Sequence, residues 1–101
     1  MVMTVLDANL EPGRESALES AYAAAVASGS RPPGLVRSEL LRDAFDPSHW
    51  RIQTWWASRQ ALEAMRGAGT PPAGVLMFRA AGAEPTVSIF EVMDSLTAAQ
   101  A

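Results

Sequence analysis

The stretch Ser48–Ser58 holds all three tryptophans of the chain and its only histidine. Indoles offer flat apolar surface for stacking an aromatic ligand, and an N–H to donate. His49 has the one side chain whose ordinary pKa suits a general base near neutrality, although a histidine beside a turn can equally be just solvated. Asn9 carries an amide that can donate to a ligand oxygen. Asp7 shares a strand face with Asn9, where it could position a proton or a water, or pair with an arginine. Tyr22 offers a phenol that either reaches a ligand or stays in the core with a wet hydroxyl. Arg79 can meet an anionic substrate or form a surface ion pair. Asp43 and Asp46 flank a turn and read as solvated or structural. There is no Ser/His/Asp spacing, phosphate loop or metal-ligand cluster, and Gly67-x-Gly69 lacks the strand and third glycine of a dinucleotide site.

Composition narrows the classes further. With 101 residues, 49% hydrophobic and 19% charged, the chain suits one globular domain, expected over 1–96 with a frayed tail at 97–101. A chain this short buries only about 60–65% of its unfolded surface, so a second copy covering an apolar face would help it. A net charge of −3 argues against nucleic acid or anionic membrane as partner. With no cysteine, disulfides, thiolate nucleophiles and Cys-ligated zinc are excluded, and one histidine excludes a His-rich metal site. No apolar run approaches the ~20 residues of a membrane span. Met1–Asp7 lacks a basic leader region, so the cytoplasm is the expected location.

The elements that must position these groups follow from periodicity. Val2–Leu10 reads as a central strand, with Val2, Thr4, Leu6, Ala8 and Leu10 on one face and Met3, Val5, Asp7 and Asn9 on the other. Pro12 suits the first turn of a helix. Glu15–Ser28 is an Ala-rich helix with a stripe of Leu18, Ala21, Tyr22, Ala25 and Val26, ended by Gly29 as a left-handed cap. Pro32-Pro33-Gly34 makes a loop. Leu35–Ala44 and the Trp-rich strand form a hairpin around Phe45–Ser48. Ser58 caps the next helix, whose buried stripe is Ala61, Leu62 and Met65. Thr70 caps a short further helix with Pro71 at its first position and Val75, Leu76 and Phe78 on its buried side. Thr86–Leu96 closes the chain as a strand.

That order is the ferredoxin-like βαββαβ plan of the α+β class. It predicts an antiparallel four-stranded sheet in the order fourth, first, third, second, with both helices on one face. The other face carries apolar groups and is expected to meet a second copy's sheet. Taking the first and third strands as parallel neighbours sets Asn9 beside Trp55 and Trp56, the arrangement that would make a ligand site. Met65 and Phe78 then either line the helix–sheet gap or plug it.

Several local patterns fit one family. Asp46-Pro47-Ser48-His49-Trp50, the strand ending Trp56-Ala57-Ser58, and Arg59-Gln60-Ala61-Leu62 resemble the antibiotic biosynthesis monooxygenases, dimeric α+β barrels. Pro12–Glu15, Pro33-Gly34-Leu35 and Phe90-Glu91-Val92 are also similar, so the resemblance spans roughly residues 2–96. It implies a homodimer joined through the sheet face. It further implies oxygenation of a small aromatic, polyketide- or quinol-like substrate by O2 without metal or flavin, the substrate anion supplying the electrons. Asn9 and Trp56 are the positions carried over for orienting that substrate, with Asp7 or a water as proton acceptor and Trp55, Tyr22, Met65, Phe78 and Arg79 as lining. Some relatives degrade haem with Asn, Trp and His, but no histidine occupies the second-helix region here. A non-catalytic dimeric small-molecule binder is the alternative from another class.

Overall fold

A computed structural model describes residues 1–67, 69 and 71–98. Four strands and three helices follow in the order β1 (Val2–Asn9), α1 (Glu15–Ser28), β2 (Leu35–Arg42), β3 (His49–Trp56), α2 (Arg59–Arg66), α3 (Ala73–Ala80) and β4 (Thr86–Glu91). The sheet order is β2-β3-β1-β4 with every neighbouring pair antiparallel, which is the ferredoxin-like plan. No helix among the described residues is long and apolar enough to cross a membrane.

The local chemistry explains most boundaries. Gly29 ends α1 at φ 72°, and its N–H returns to the Val26 carbonyl. The Ser58 hydroxyl accepts from the Ala61 N–H at 3.1 Å and starts α2. Pro12 lies in the turn before α1, not in its first turn, because the helix begins at Glu15. Helix α3 begins at Ala73, so Pro71 precedes it, and the capping role expected of Thr70 lies outside the described residues. Leu76 is 48% exposed, against expectation; Val75 and Phe78 alone carry the buried side of α3. Strand β4 stops at Glu91, earlier than its alternation suggests, since its pairing with β1 ends at Val2.

One side of the sheet carries the helices and the core. Leu6, Leu10, Leu18, Trp50, Ile52, Val75, Phe78 and Ala81 form one cluster, in which Leu18 and Phe78 are wholly buried. Val2, Trp56 and Leu62 form a second, with Leu35, Ala61 and Met65 packed against it. Between the clusters the sheet carries hydroxyls, and a gap remains between it and the helices. No helix among the described residues covers the other side of the sheet. It bears Met3, Asp7, His49, Arg51, Gln53 and Trp55 half-buried, with Leu41 and Phe90 exposed.

The expectation that β1 and β3 run parallel is overturned. The β1–α1–β2 crossover makes β1 and β2 parallel, and the β2–β3 hairpin then reverses the chain, so β3 must oppose β1. The register sets Val2 against Trp56 and Asn9 against His49. Asn9 and Trp56 therefore sit at opposite ends of an eight-residue ladder, about 24 Å apart along it.

Candidate functional site

The gap between helices and sheet is an open cavity of about 560 Å³, inside the size range of small-molecule sites. Its floor is a row of hydroxyls across three strands. Thr4 on β1 faces Thr54 on β3, and Thr54 faces Ser38 on β2. Each points to the helix side because it shares strand parity with the core residues Leu6, Ile52 and Leu40. Trp56, two residues beyond Thr54, donates its indole Nε1–H to Thr4 Oγ1 at 3.3 Å. From α1 above, Tyr22 donates to Ser38 Oγ at 2.8 Å, and Thr54 donates to the same oxygen at 3.2 Å.

The roof is mainly apolar and small. It is made by Ala25 and Val26 of α1, Leu62 and Met65 of α2, and Ala73, Gly74 and Val75 of α3. At Gly74 a Cβ would stand 2.7 Å from Leu6 Cδ1, so the absent side chain lets α3 approach the floor. Val87 and Ile89 of edge strand β4 close one side, and Pro32 and Pro72 flank the other. Arg31, Arg37 and Arg66 are the charged residues of the lining, which includes no Asp or Glu. Arg31 is held by the carbonyls of Ala25, Val26 and Ser30, which close the C-terminal end of α1.

Of the residues singled out from sequence, Trp56, Tyr22 and Met65 converge on this cavity. The others do not reach it. Asn9 is exposed at the far end of β1, where parity puts it on the helix-free side. Trp55 also faces that side, half-buried, with the Arg37 guanidinium 5.0 Å over its ring. Phe78 neither lines nor plugs the cavity, because it is wholly buried in the core cluster. Arg79 forms a two-pronged ion pair with Glu84 at 2.8 Å on the surface.

Asp7 belongs to a separate cluster on the helix-free side. Its Oδ1 accepts from Arg51 Nε at 2.9 Å and lies 2.8 Å from His49 Nε2. His49 Nδ1 lies 3.1 Å from Asp43 Oδ2. The Asp43 carboxylate, then that of Asp7, raises the imidazole above its ordinary pKa of 6.5. Burial pushes the Asp7 carboxyl up, but the Arg51 and His49 hydrogen bonds outweigh it and hold it below 3.8. A ring with a carboxylate at each nitrogen is a bridging cation, so His49 is neither the solvated turn histidine nor a free base. Asp43 also accepts from the N–H groups of Phe45 and Asp46, as a structural turn aspartate does.

Sequence reasoning missed Thr4, Ser38 and Thr54. Small hydroxyl residues carry no signature of their own. The available signal was their parity with Leu6, Leu40 and Ile52 in strands that must pair antiparallel.

The fold agrees with the comparisons to known proteins. Residues 1–70 match the family model of the antibiotic biosynthesis monooxygenases, and the chain belongs to that family. Among solved structures it is similar to SnoaB from Streptomyces nogalater, a cofactor-independent oxygenase, at 23% identity and a TM-score of 0.69 over 94% of this chain and 95% of that one. MhuD from Mycobacterium tuberculosis, a haem degrader with two haems bound in its active site, aligns at 20% identity and a TM-score of 0.71 over 96% and 100%. A candidate antibiotic biosynthesis monooxygenase from Deinococcus radiodurans aligns at 12% identity and a TM-score of 0.75 over 99% and 100%. At these identities the likenesses speak for the fold. No curated protein matches the chain by sequence.

Proposed function

We propose that the protein is a cofactor-independent monooxygenase that oxidises a small aromatic substrate held in the helix–sheet cavity. The observation that carries this reading is the cavity itself: apolar walls sized for a fused-ring molecule, with an indole and hydroxyl floor to orient its oxygens. Membership of the family supports it. In such a reaction an activated ring CH2 loses a proton to give an electron-rich carbanion. The carbanion passes an electron to O2, and the radical pair joins through a new C–O bond as a peroxide. Loss of the second C–H proton with hydroxide leaves C=O, so CH2 and O2 become C=O and H2O. Trp56 would stack against the ring, with Tyr22 and Met65 closing over it. Asp7 is tied to Arg51 and His49 on the far side of the sheet, so water at the cavity mouth takes the proton. We also propose that a second copy covers the helix-free side, where Leu41 and Phe90 are exposed.

Oxygen uptake with anthrone tests this reading. The expected result is uptake above autoxidation, one O2 per quinone formed, and its loss in Trp56→Ala. Anthrone binding without uptake would favour the non-catalytic binder. A Soret band on titration with hemin, again without uptake, would favour haem; the sole histidine is not in the cavity to ligate it, although Tyr22 and Met65 are.

A further inference from the structure

The cavity floor carries more hydroxyl protons than it uses. Tyr22, Ser38 and Thr54 form a chain of three hydroxyls joined by two hydrogen bonds, of 2.8 Å and 3.2 Å. Each hydroxyl has one proton. Two bonds consume two of the three, whichever way they run, so one proton is always left over. With both neighbours donating to Ser38 Oγ, the spare proton is that of Ser38 itself. Thr4 adds another: an indole N–H only donates, so Thr4 Oγ1 accepts from Trp56 and keeps its own proton.

Charge says what those protons meet. The chain as a whole is at −3, yet the cavity lining includes Arg31 and Arg66 and no carboxylate; Arg37, also in the lining, turns its guanidinium over Trp55 on the helix-free side. Arg31 donates to the carbonyls of Ala25, Val26 and Ser30, and the partial negative charge at the end of α1 offsets part of its own. Arg37 has Glu39 as ion-pair partner. Spare O–H donors in an apolar cavity whose lining has no carboxylate suit an oxygen that is itself anionic.

From this we infer that the Tyr22–Ser38–Thr54 hydroxyl chain is an oxyanion-binding element, seating the phenolate or enolate oxygen of a planar aromatic substrate. This rests on the monooxygenase reading and deepens it. It gives a cavity without a carboxylate or imidazole a way to promote deprotonation. The hydroxyl chain stabilises the anion, so a bound phenol ionises at lower pH than a free one. Ser38, at the centre of the chain, sets which edge of the substrate lies over the floor.

The test uses 4-nitro-1-naphthol, whose phenolate absorbs in the visible, with naphthalene as its oxygen-free counterpart. In the wild type the bound naphthol should titrate below its free value. Tyr22→Phe leaves two hydroxyls, one link and still one spare proton, so the bound value should barely move. Adding Ser38→Ala and Thr54→Val, which leaves none of the three hydroxyls, should raise it by about one to two pH units, the worth of one charge-assisted hydrogen bond. Naphthalene affinity should be the same in all three proteins, which also shows that each is folded. A bound value equal in wild type and triple variant, with naphthalene still bound, overturns the oxyanion element alone. A wild type that binds neither probe overturns this inference and the cavity reading together. Equal shifts in single and triple variants would mean that the Tyr22–Ser38 bond acts only as structure, and would also overturn it.

Discussion

The β2 lead-in comes close to α2 at Gly34, and this yields a sharp prediction. Gly34 sits at φ 81°, and a Cβ there would stand 2.4 Å from the Ala61 Cβ. Its carbonyl is also fixed by the Ala57 N–H at 2.8 Å. Two independent costs attend Gly34→Ala. The left-handed backbone costs about 1–2 kcal/mol for a residue with a Cβ. The overlap adds about 1–3 kcal/mol, because Ala61 Cβ has no rotamer to yield and α2 itself must shift. The sum, about 2–5 kcal/mol, should lower Tm by at least ~8 °C in a domain of this size. Ala61→Gly alone should cost about 1 kcal/mol through helix propensity. In the double variant the overlap is gone, so the total should be only about 2–3 kcal/mol, where simple addition gives about 3–6. Urea denaturation followed by tryptophan fluorescence measures the cycle. Additivity within about 0.5 kcal/mol would refute the contact.

Two further outcomes follow from the same geometry. Phe78→Ala should destabilise the fold by about 3–5 kcal/mol while leaving naphthalene affinity of the folded protein unchanged, since Phe78 is core and not lining; weakened binding at full folding would place it in the site after all. The His49 cluster makes stability depend on pH. Because the folded pKa of His49 is raised, its contribution is full below pH 6.5 and is lost as pH climbs through the raised value. Asp7 and Asp43 have lowered folded values, so theirs is present above pH 3.8 and is lost as pH falls through those values. Tm should therefore be greatest between these limits and decline on the alkaline side, and His49→Gln should flatten that decline; an equal slope in the variant would show that His49 does not cause it.

Much of the fold was legible along the chain. Alternation marked the strands, the Ala-rich stripe and Gly29 bounded α1, and Ser58 announced α2, since each rests on chemistry within a few residues. Strand order followed as well, because right-handed crossovers leave few topologies. Trp55 was expected to line the site with Trp56, but the alternation of β3 turns it to the uncovered face.

What sequence alone did not carry is which residues of different strands lie side by side. Asn9 and Trp56 looked like one site only while β1 and β3 were taken as parallel, and the hairpin reversal separates them by the length of the ladder. The same reversal brings Thr4, Thr54 and Ser38 into one row and His49 between Asp7 and Asp43. Whether Phe78 filled the gap or the core was likewise a matter of how α3 meets α1 and the sheet. Local patterns state which face a side chain takes, because the pleat has a period of two. Partners across strands are set by direction and register, which exist only once the chain has closed on itself.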